Sequence, residues 1–398
     1  MRHDYAPTAR YTLLQGTYWA SYCAILTFSS VYLLARGLSN AQIGLLLSVA
    51  GALSALLQPF VSRIADGLRR MSLRQFTALL VVGQLAVGAL LPLASGRLPH
   101  TVLYGLLIIL VNLIMPLTSA LGMACLSRGR ALNFGAARAA GSITYGVCSA
   151  VFGRMVLRFG EGSLPFGLFV LDVLLLVSVL LFRFAEGPDE HVTRAEDAAP
   201  AAADRRPFPL RYRHAVPLLL GVILLYISHN VLNVYPFQIV LPLGGDSAQM
   251  GTMLLIQSLA ELPVMFGFAW MLKKADSRVW MRLTGIGFFL HALGTLLATS
   301  MGFLYAVQIF QMNGYALYIL SYTYYVNDRV RPTERVQGQA WFAMAITLGS
   351  VLASLCGGTI LDLAGTRQLL LFATATGGAG MVLLWVLLQR GGRTLEVR

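Results

Sequence analysis

The sequence predicts an all-α integral membrane protein with twelve transmembrane helices arranged in two six-helix bundles. Of its 398 residues, 57% are hydrophobic and only 12% are charged, which is roughly half the charge of a typical soluble domain. A soluble chain could not bury so much apolar surface, because hydrophobic cores stop growing at about 250–300 residues. The composition therefore excludes a soluble enzyme, a disordered scaffold and a secreted disulfide-rich module, and it indicates a chain solvated by lipid.

Twelve apolar stretches are each long enough for a membrane-spanning helix, which needs about 20 residues. They lie at residues 12–35, 41–62, 75–95, 100–124, 135–157, 164–184, 215–240, 248–272, 281–300, 302–326, 338–361 and 369–389. These stretches are expected to be helices, because lipid offers the backbone no hydrogen-bond partners and no strand-like alternation indicates a barrel.

A long polar segment at residues 185–214 divides the chain into two halves. Its first part is rich in alanine, proline and charged residues, which is typical of a flexible linker. We therefore predict an N-terminal bundle at 1–184, a cytoplasmic linker at 185–214 and a C-terminal bundle at 215–398. The second span of each half ends in a similar short charged loop, around Asp66 and around Asp276. Two bundles in parallel repeat with a site between them are typical of a rocking secondary transporter.

The basic residues predict the orientation. With twelve spans, both termini lie on one side of the membrane. That side, counting the termini and its connections, holds twenty-four arginines and lysines, and the opposite side holds five. This bias predicts a multi-pass protein of the cytoplasmic (inner) membrane with both termini in the cytoplasm. The basic residues form no patch, so the net charge of +13 does not predict nucleic-acid binding. The four cysteines lack metal-ligand spacing, and we predict no metal site and no cofactor.

Ionisable side chains inside the spans are the candidate functional residues, because a charge in lipid is costly and rare. Glu261 lies near the middle of the eighth span and is a candidate proton carrier. Arg138 opens the fifth span, so its side chain either faces the interior or extends to the membrane surface. Two interpretations are open for His229, His291 and Asp172: each has a functional role, or each is a structural residue that is hydrogen-bonded within the protein.

Short motifs in four spans carry a resemblance to a known family. They are Gln58-Pro59-Phe60 followed by Asp66, Pro116 to Leu121, Phe134 to Gly141, and Ala260-Glu261 with Met265-Phe266. With these motifs the chain resembles the major facilitator superfamily and, within it, the lactose permease and phenylpropionate permease group of proton symporters. The resemblance implies two six-helix bundles that expose a central site to each side of the membrane in turn.

The resemblance also implies roles for particular residues. Arg138 matches a sugar-binding arginine of lactose permease, and Tyr145 takes the position of a tryptophan that stacks on the sugar. Glu261 matches a glutamate that contacts both the sugar and protein charges, and His291 stands where that family has an arginine involved in proton coupling.

Several charged positions of lactose permease are neutral in this chain. Asn230 and Asn233 stand in place of two aspartates, and Gln311 stands in place of a histidine. Neutralising both members of a charge pair is physically coherent, because removing one alone strands a charge. If protons drive this protein, Glu261 is the first candidate carrier. We predict that the solute is bound by Arg138, Tyr145, Glu261, Asn230, Asn233 and Gln311, and that the proton is carried by Glu261, His291 and His229.

These observations predict a monomeric secondary active transporter, not an enzyme, that moves a small polar organic solute. Proton-coupled uptake of a sugar or oligosaccharide is favoured, and a nucleoside or an aromatic acid is an open alternative. A drug or metabolite efflux antiporter is the second hypothesis, and a membrane-embedded transferase is a remote third. Gating is assigned to Asp66 with Arg63, Arg69 and Arg70, whose contacts would break when the bundles rock; a capped tight turn is the alternative interpretation.

Overall fold

The structure is a computed structural model that describes residues 6–66, 71–127, 134–183, 212, 215–331 and 334–389. Every regular element in these ranges is helical. The α-helices are α1 (Ala6–Tyr22), α2 (Ser29–Ala35), α3 (Asn40–Asp66), α4 (Leu73–Leu90), α5 (Arg97–Ser127), α6 (Phe134–Phe159), α7 (Leu164–Leu181), α8 (Ala215–Val234), α9 (Pro236–Val240), α10 (Ser247–Met271), α11 (Ser277–Leu297), α12 (Met301–Val307), α13 (Leu317–Arg329), α14 (Arg335–Ala364) and α15 (Thr366–Gln389). Short 3₁₀ turns occur at Leu91–Leu93, Glu161–Ser163 and Leu241–Leu243, and π-helical turns occur at Cys23–Thr27 and Met312–Ala316.

The predicted all-α membrane fold is confirmed. Ten helices in the described ranges are long and apolar enough to cross a membrane, or eleven if the first span, bent by 41° before α2, is counted as one. The stretch predicted at 302–326 is a broken span, made of α12, the second π-helical turn and α13. The described residues of all twelve predicted stretches are therefore largely helical, but the stretches at 12–35, 215–240 and 302–326 are each broken within their length.

Prolines inside three long helices, α3, α5 and α10, each remove one backbone donor. A carbonyl freed in this way needs another donor, since lipid supplies none. In α5, Pro116 frees the carbonyl of Asn112, and the side-chain amide of Gln58 donates to it at 3.4 Å. The proline of one helix is thereby matched by a polar side chain from the neighbouring helix.

The two halves of the chain touch through their backbones at one end of the molecule. We call this end the far face; α2 ends there and α3 and α10 begin there, whereas α1 begins at the opposite, near face. A Cβ on Gly44 of α3 would lie 2.1 Å from the carbonyl oxygen of Ser354 in α14. A Cβ on Gly251 of α10 would lie 2.2 Å from that of Ser149 in α6. Only glycine permits these approaches, so the two halves are packed tightly at the far face.

A carboxylate at the end of α14 also caps the beginning of α3. Asp362 accepts hydrogen bonds from the backbone N–H and the side-chain amide of Asn40, at 3.1 and 2.9 Å, and from the N–H of Ala41 at 2.7 Å. Gln238, in α9, donates to the Asn40 side-chain oxygen at 2.9 Å. An acceptor at a helix N-terminus satisfies donors that have no partner within the helix. We call this set of bonds the far-face latch, because it joins the two halves.

Candidate functional site

A cavity of about 650 Å³ lies between the two halves, on the near side of the contacts just described. It is lined by α1, the first π-helical turn, α3, α5 and α6 from the first half, and by α8, α10, the second π-helical turn, α13 and α14 from the second half. Along α6 and α14 the lining extends to Arg138 and Ile346, toward the near face. The volume is within the range of sites for small organic molecules.

Arg138 lies in the wall of this cavity. Its guanidinium carbon is 4.3 Å from the centre of the Trp19 ring on α1, a distance typical of a cation–π interaction. Glu261 and Tyr315, both in the second half, line the same cavity. The side chain therefore faces the centre of the molecule, and the alternative in which it extends to the membrane surface does not describe this structure.

Glu261 enters the same cavity from α10. Its side chain is only 7% exposed, and the side-chain amide of Gln311 donates to its Oε1 at 3.5 Å. The amide oxygen of Gln311 has no hydrogen-bond partner among the described residues. The buried carboxylate of Glu261 thus lies beside the Gln311 amide, whose oxygen is free to accept a hydrogen bond from a solute. Arg138, of the other half, lines the same cavity.

Tyr145 is held in the cavity wall by the π-helical turn after α1. The Tyr145 hydroxyl is 2.7 Å from the hydroxyl of Thr27, and the thiol of Cys23 is 3.1 Å from the hydroxyl of Ser149, one turn further along α6. A π-helical turn inserts a residue into the α-helical register, and such turns are frequent at functional sites. Here the turn places its first and last residues against α6.

Amide side chains on α8 form the opposite wall. Asn233 donates to the His229 carbonyl at 2.8 Å and accepts from Gln257 at 2.8 Å, and Asn230 donates to the Tyr226 carbonyl at 2.9 Å. The His229 imidazole is stacked on the Tyr315 ring, with 4.9 Å between their centres and 6° between their planes. This wall therefore presents amide groups and a flat aromatic pair.

Some residues singled out from the sequence lie elsewhere. His291 is buried, with its Nε2 3.1 Å from the Gln308 side-chain oxygen, and does not line the cavity. Asp172 is buried between α1, α4 and α7. Arg63 is exposed at the end of α3. Three predicted gating groups, Arg69, Arg70 and the side chain of Asp66, lie outside the described residues.

Several lining residues were not predicted from the sequence, among them Gln15, Trp19 and Asn112. A signal for two of them was present. Gln15 and Trp19 are four residues apart, and Tyr22 follows three residues later, so the three share one face of α1. A polar and aromatic face on an otherwise apolar helix indicates a lining helix.

The comparisons with known proteins agree with this architecture. Residues 11–372 match the model of the MFS_1 like family. The structure is similar to a crystal structure of a point mutant of the nucleoside transporter NupG, with a TM-score of 0.79 and 12% identity over 96% of this chain and 99% of that one. It is also similar to an auto-inhibited peptide transporter of the POT family, with a TM-score of 0.72 and 11% identity over 98% of each chain.

No curated protein matches the chain significantly by sequence. Likenesses at 11–12% identity show the fold alone, whereas the family match covers most of the chain. The resemblance to lactose permease in particular stays a prediction. The chain belongs to the MFS_1 like family and is a multi-pass membrane protein with the major facilitator fold of a transporter.

Proposed function

We propose that this protein is a proton-coupled symporter that takes up a hydroxylated organic solute, with sugars and oligosaccharides as the first candidates. The observation that carries the proposal is the pair of opposite charges in one cavity: Arg138 comes from the first half and Glu261 from the second. The distribution of basic residues supports a cytoplasmic membrane location with both termini inside. We further propose that the protein works as a monomer, because residues of one chain line the cavity from both sides.

The cavity walls are suited to hydroxyl groups on a ring. A guanidinium stays charged and offers several donors in one plane, which can bind adjacent hydroxyls. The amides of Asn230, Asn233 and Gln311 combine donors and acceptors without adding charge. Tyr145 and Trp19 add aromatic surfaces on which an apolar ring face can lie.

Glu261 is the proposed proton carrier. It is the acidic residue that lines the cavity in the described part of the chain, and an ionised carboxylate is costly at such a buried position. Neutral amides do not ionise at physiological pH, so they bind solute without carrying a proton. His229 lines the cavity in the same half as Glu261 and is a second candidate; His291, buried against Gln308, is proposed only as an indirect contributor.

Alternating access follows from a solute that bridges the two halves. The cavity lies on the near side of the glycine contacts and the far-face latch. Exposing it to the far side requires those contacts to separate while the near ends approach. A solute bound to Arg138 and Glu261 together would couple the two movements.

A nucleoside is the second candidate solute. The stacked His229–Tyr315 pair and the Trp19 ring provide flat surfaces that would also accept a base. Ribose hydroxyls would then use the same guanidinium and amide groups as a sugar.

The test begins with a thermal-shift screen of the purified protein against sugars, nucleosides and aromatic acids, since a ligand of the folded state raises the apparent stability. The uptake of the solute that binds is then measured in proteoliposomes with the wild type and Glu261→Gln. We expect the variant to lose accumulation driven by a pH gradient and to keep exchange without a gradient. Ser258→Ala, on the same helix and in the same cavity, is the matched control and should keep both.

Two outcomes would contradict the proposal. Normal accumulation by Glu261→Gln would remove Glu261 from the coupling. Solute movement by the wild type in the direction opposite to the proton flow, and not with it, would favour the efflux antiporter.

A further inference from the structure

A second buried polar cluster lies in the first half, away from the cavity. Asp172 of α7 is completely buried, and its Oδ1 accepts hydrogen bonds from the Ser21 hydroxyl of α1 and the Gln84 amide of α4, both at 2.7 Å. The Gln84 amide also donates to the Ser21 hydroxyl at 2.9 Å. None of the three residues lines the cavity. The cluster therefore has a role separate from contact with the solute.

Two oxygen atoms of this cluster have no hydrogen-bond partner among the described residues: Oδ2 of Asp172 and Oε1 of Gln84. The Asp172 carboxyl and the Gln84 amide, to which these oxygens belong, are already joined by the hydrogen bond from the Gln84 nitrogen to Oδ1 of Asp172. Buried acceptors without a donor are rare and costly. An ionised Asp172 would leave both of them unsatisfied.

No described basic side chain offsets a negative charge at this position. On the helices packed against α7, Arg10 of α1 and Arg74 of α4 donate to the carbonyls of Arg183 and Leu180, at the near end. Leu180 is eight residues from Asp172, or about 12 Å along the helix. On α6, Arg138 lies over the Trp19 ring in the cavity wall, Arg154 donates to its own helix, and Arg158 lies over the Phe159 ring. An ionised Asp172 would be an uncompensated charge inside the bundle.

We infer that Asp172 binds a proton on Oδ2 and forms a cyclic carboxyl–amide pair with Gln84. In this pair the carboxyl O–H donates to the amide oxygen while the amide nitrogen donates to Oδ1. One proton then satisfies both unpartnered oxygens and removes the buried charge. The cluster is a proton-binding site in the first half, distinct from Glu261 in the second.

The site is linked to the cavity through α1. Ser21 is followed by Tyr22, which lines the cavity, and by the π-helical turn whose Thr27 is bonded to Tyr145. Loss of the proton would disturb the bonds that hold this part of α1 against α4 and α7. The inference does not depend on the proposed coupling role of Glu261, because it rests on the two unpartnered oxygens and the lack of a described counter-charge.

Infrared spectroscopy of the full-length protein tests the inference. At neutral pH we expect a carbonyl band of a protonated carboxyl that is absent from Asp172→Asn and retained in Glu261→Gln. An asparagine can form the same cyclic pair, its nitrogen donating to Gln84 Oε1 and its oxygen accepting from Gln84 and Ser21. The variant should therefore fold and keep a melting temperature close to that of the wild type.

A second variant keeps the inference testable if Asp172→Asn does not fold. Gln84→Leu removes the acceptor of the carboxyl proton, so the band should move to the higher frequency of a carboxyl with a weaker hydrogen bond. The inference is overturned if the band is unchanged in Asp172→Asn or, where that variant does not fold, unchanged in Gln84→Leu. It would also be overturned if NaCl, but not KCl, raised the melting temperature of the wild type and not of Asp172→Asn, since the cluster would then be a sodium site.

Discussion

The far-face latch offers a direct measure of what holds the two halves in the observed conformation. Asp362 accepts three hydrogen bonds from the first turn of α3, all from the other half of the chain. Separation of the halves at the far face breaks all three at once. Asp362→Ala should therefore favour the conformation in which the far face is open.

The size of the effect follows from the kind of bonds that are lost. Removing a capping side chain typically costs about 1 kcal/mol, and hydrogen bonds to a charged group contribute about 1.5–3 kcal/mol where they are buried. Asp362 is exposed, so water replaces part of this energy. We expect a net change of about 1–2 kcal/mol, which is about 5- to 30-fold in the ratio of the two conformations.

Pulsed electron resonance can measure that ratio. Spin labels at Glu161 and Gln368, both exposed at the far face and in opposite halves, would report a longer distance when this face opens, in a variant without native cysteines. The matched control is Thr359→Ala, because Thr359 is exposed on the same helix and its hydroxyl donates to the Leu355 carbonyl of that helix. If Asp362→Ala and the control give the same distance distribution, the capping bonds do not hold the far face closed.

Two further predictions concern packing and pH. Gly44→Val should open the far face more than Asp362→Ala, because a Cβ at this position would meet the Ser354 carbonyl oxygen at 2.1 Å and overpacking costs about 1–3 kcal/mol. Gly83 lies inside α4, and a Cβ there would have no neighbour within 4 Å, so Gly83→Ala should leave the label distances unchanged and should not lower the melting temperature. Equal effects of the two variants on the label distances would refute the packing argument. At the near face, burial raises the pKa of Asp276, but the N–H of Arg278, the hydroxyl of Ser277 and the charge of Arg329 outweigh it and hold that pKa below its usual value. Stability from this group is complete above its unfolded pKa of about 3.9 and is lost as the pH falls through the lowered value. Arg329→Gln should therefore lower the melting temperature slightly at pH 7, by the equivalent of less than about 1 kcal/mol for this partly exposed pair. A difference in melting temperature from the wild type that stays constant down to about pH 2 would show that Arg329 does not stabilise the ionised Asp276.

The sequence was sufficient for the spans because their signal is local. Length and apolarity of each stretch determine whether a helix can cross a membrane. A charged side chain within a membrane span is costly and rare, so the sequence alone singled out Arg138 and Glu261. The structure places both in one cavity. Their roles in binding and coupling remain predictions.

Other features have no local signal. His229 and His291 each lie within an apolar run, so periodicity does not show which of the two faces the cavity. In the structure His229 lines the cavity and His291 does not. The far-face latch joins residues 322 positions apart, and no pattern within either helix predicts that pairing. No sequence signal predicted the two π-helical turns, which contribute Thr27 and Tyr315 to the cavity wall.

The far-face contacts also constrain the conformation in which the far face is open. A solute can shift an equilibrium only by the difference between its affinities for the two states. Opening the far face breaks the latch, which costs about 1–2 kcal/mol. Contacts of similar strength must then form at the near face. Without them, the difference in solute affinity between the two states would have to supply the whole of this free energy. The proposed gating residues are Asp66 and Arg63, in the last turn of α3, and Arg69 and Arg70, which follow in the sequence; opposite charges at such a connection would form these contacts. On this argument Asp66→Asn should oppose Asp362→Ala, and the double variant should restore the wild-type ratio of conformations, whereas a further shift toward the open far face would show that Asp66 is not part of the near gate.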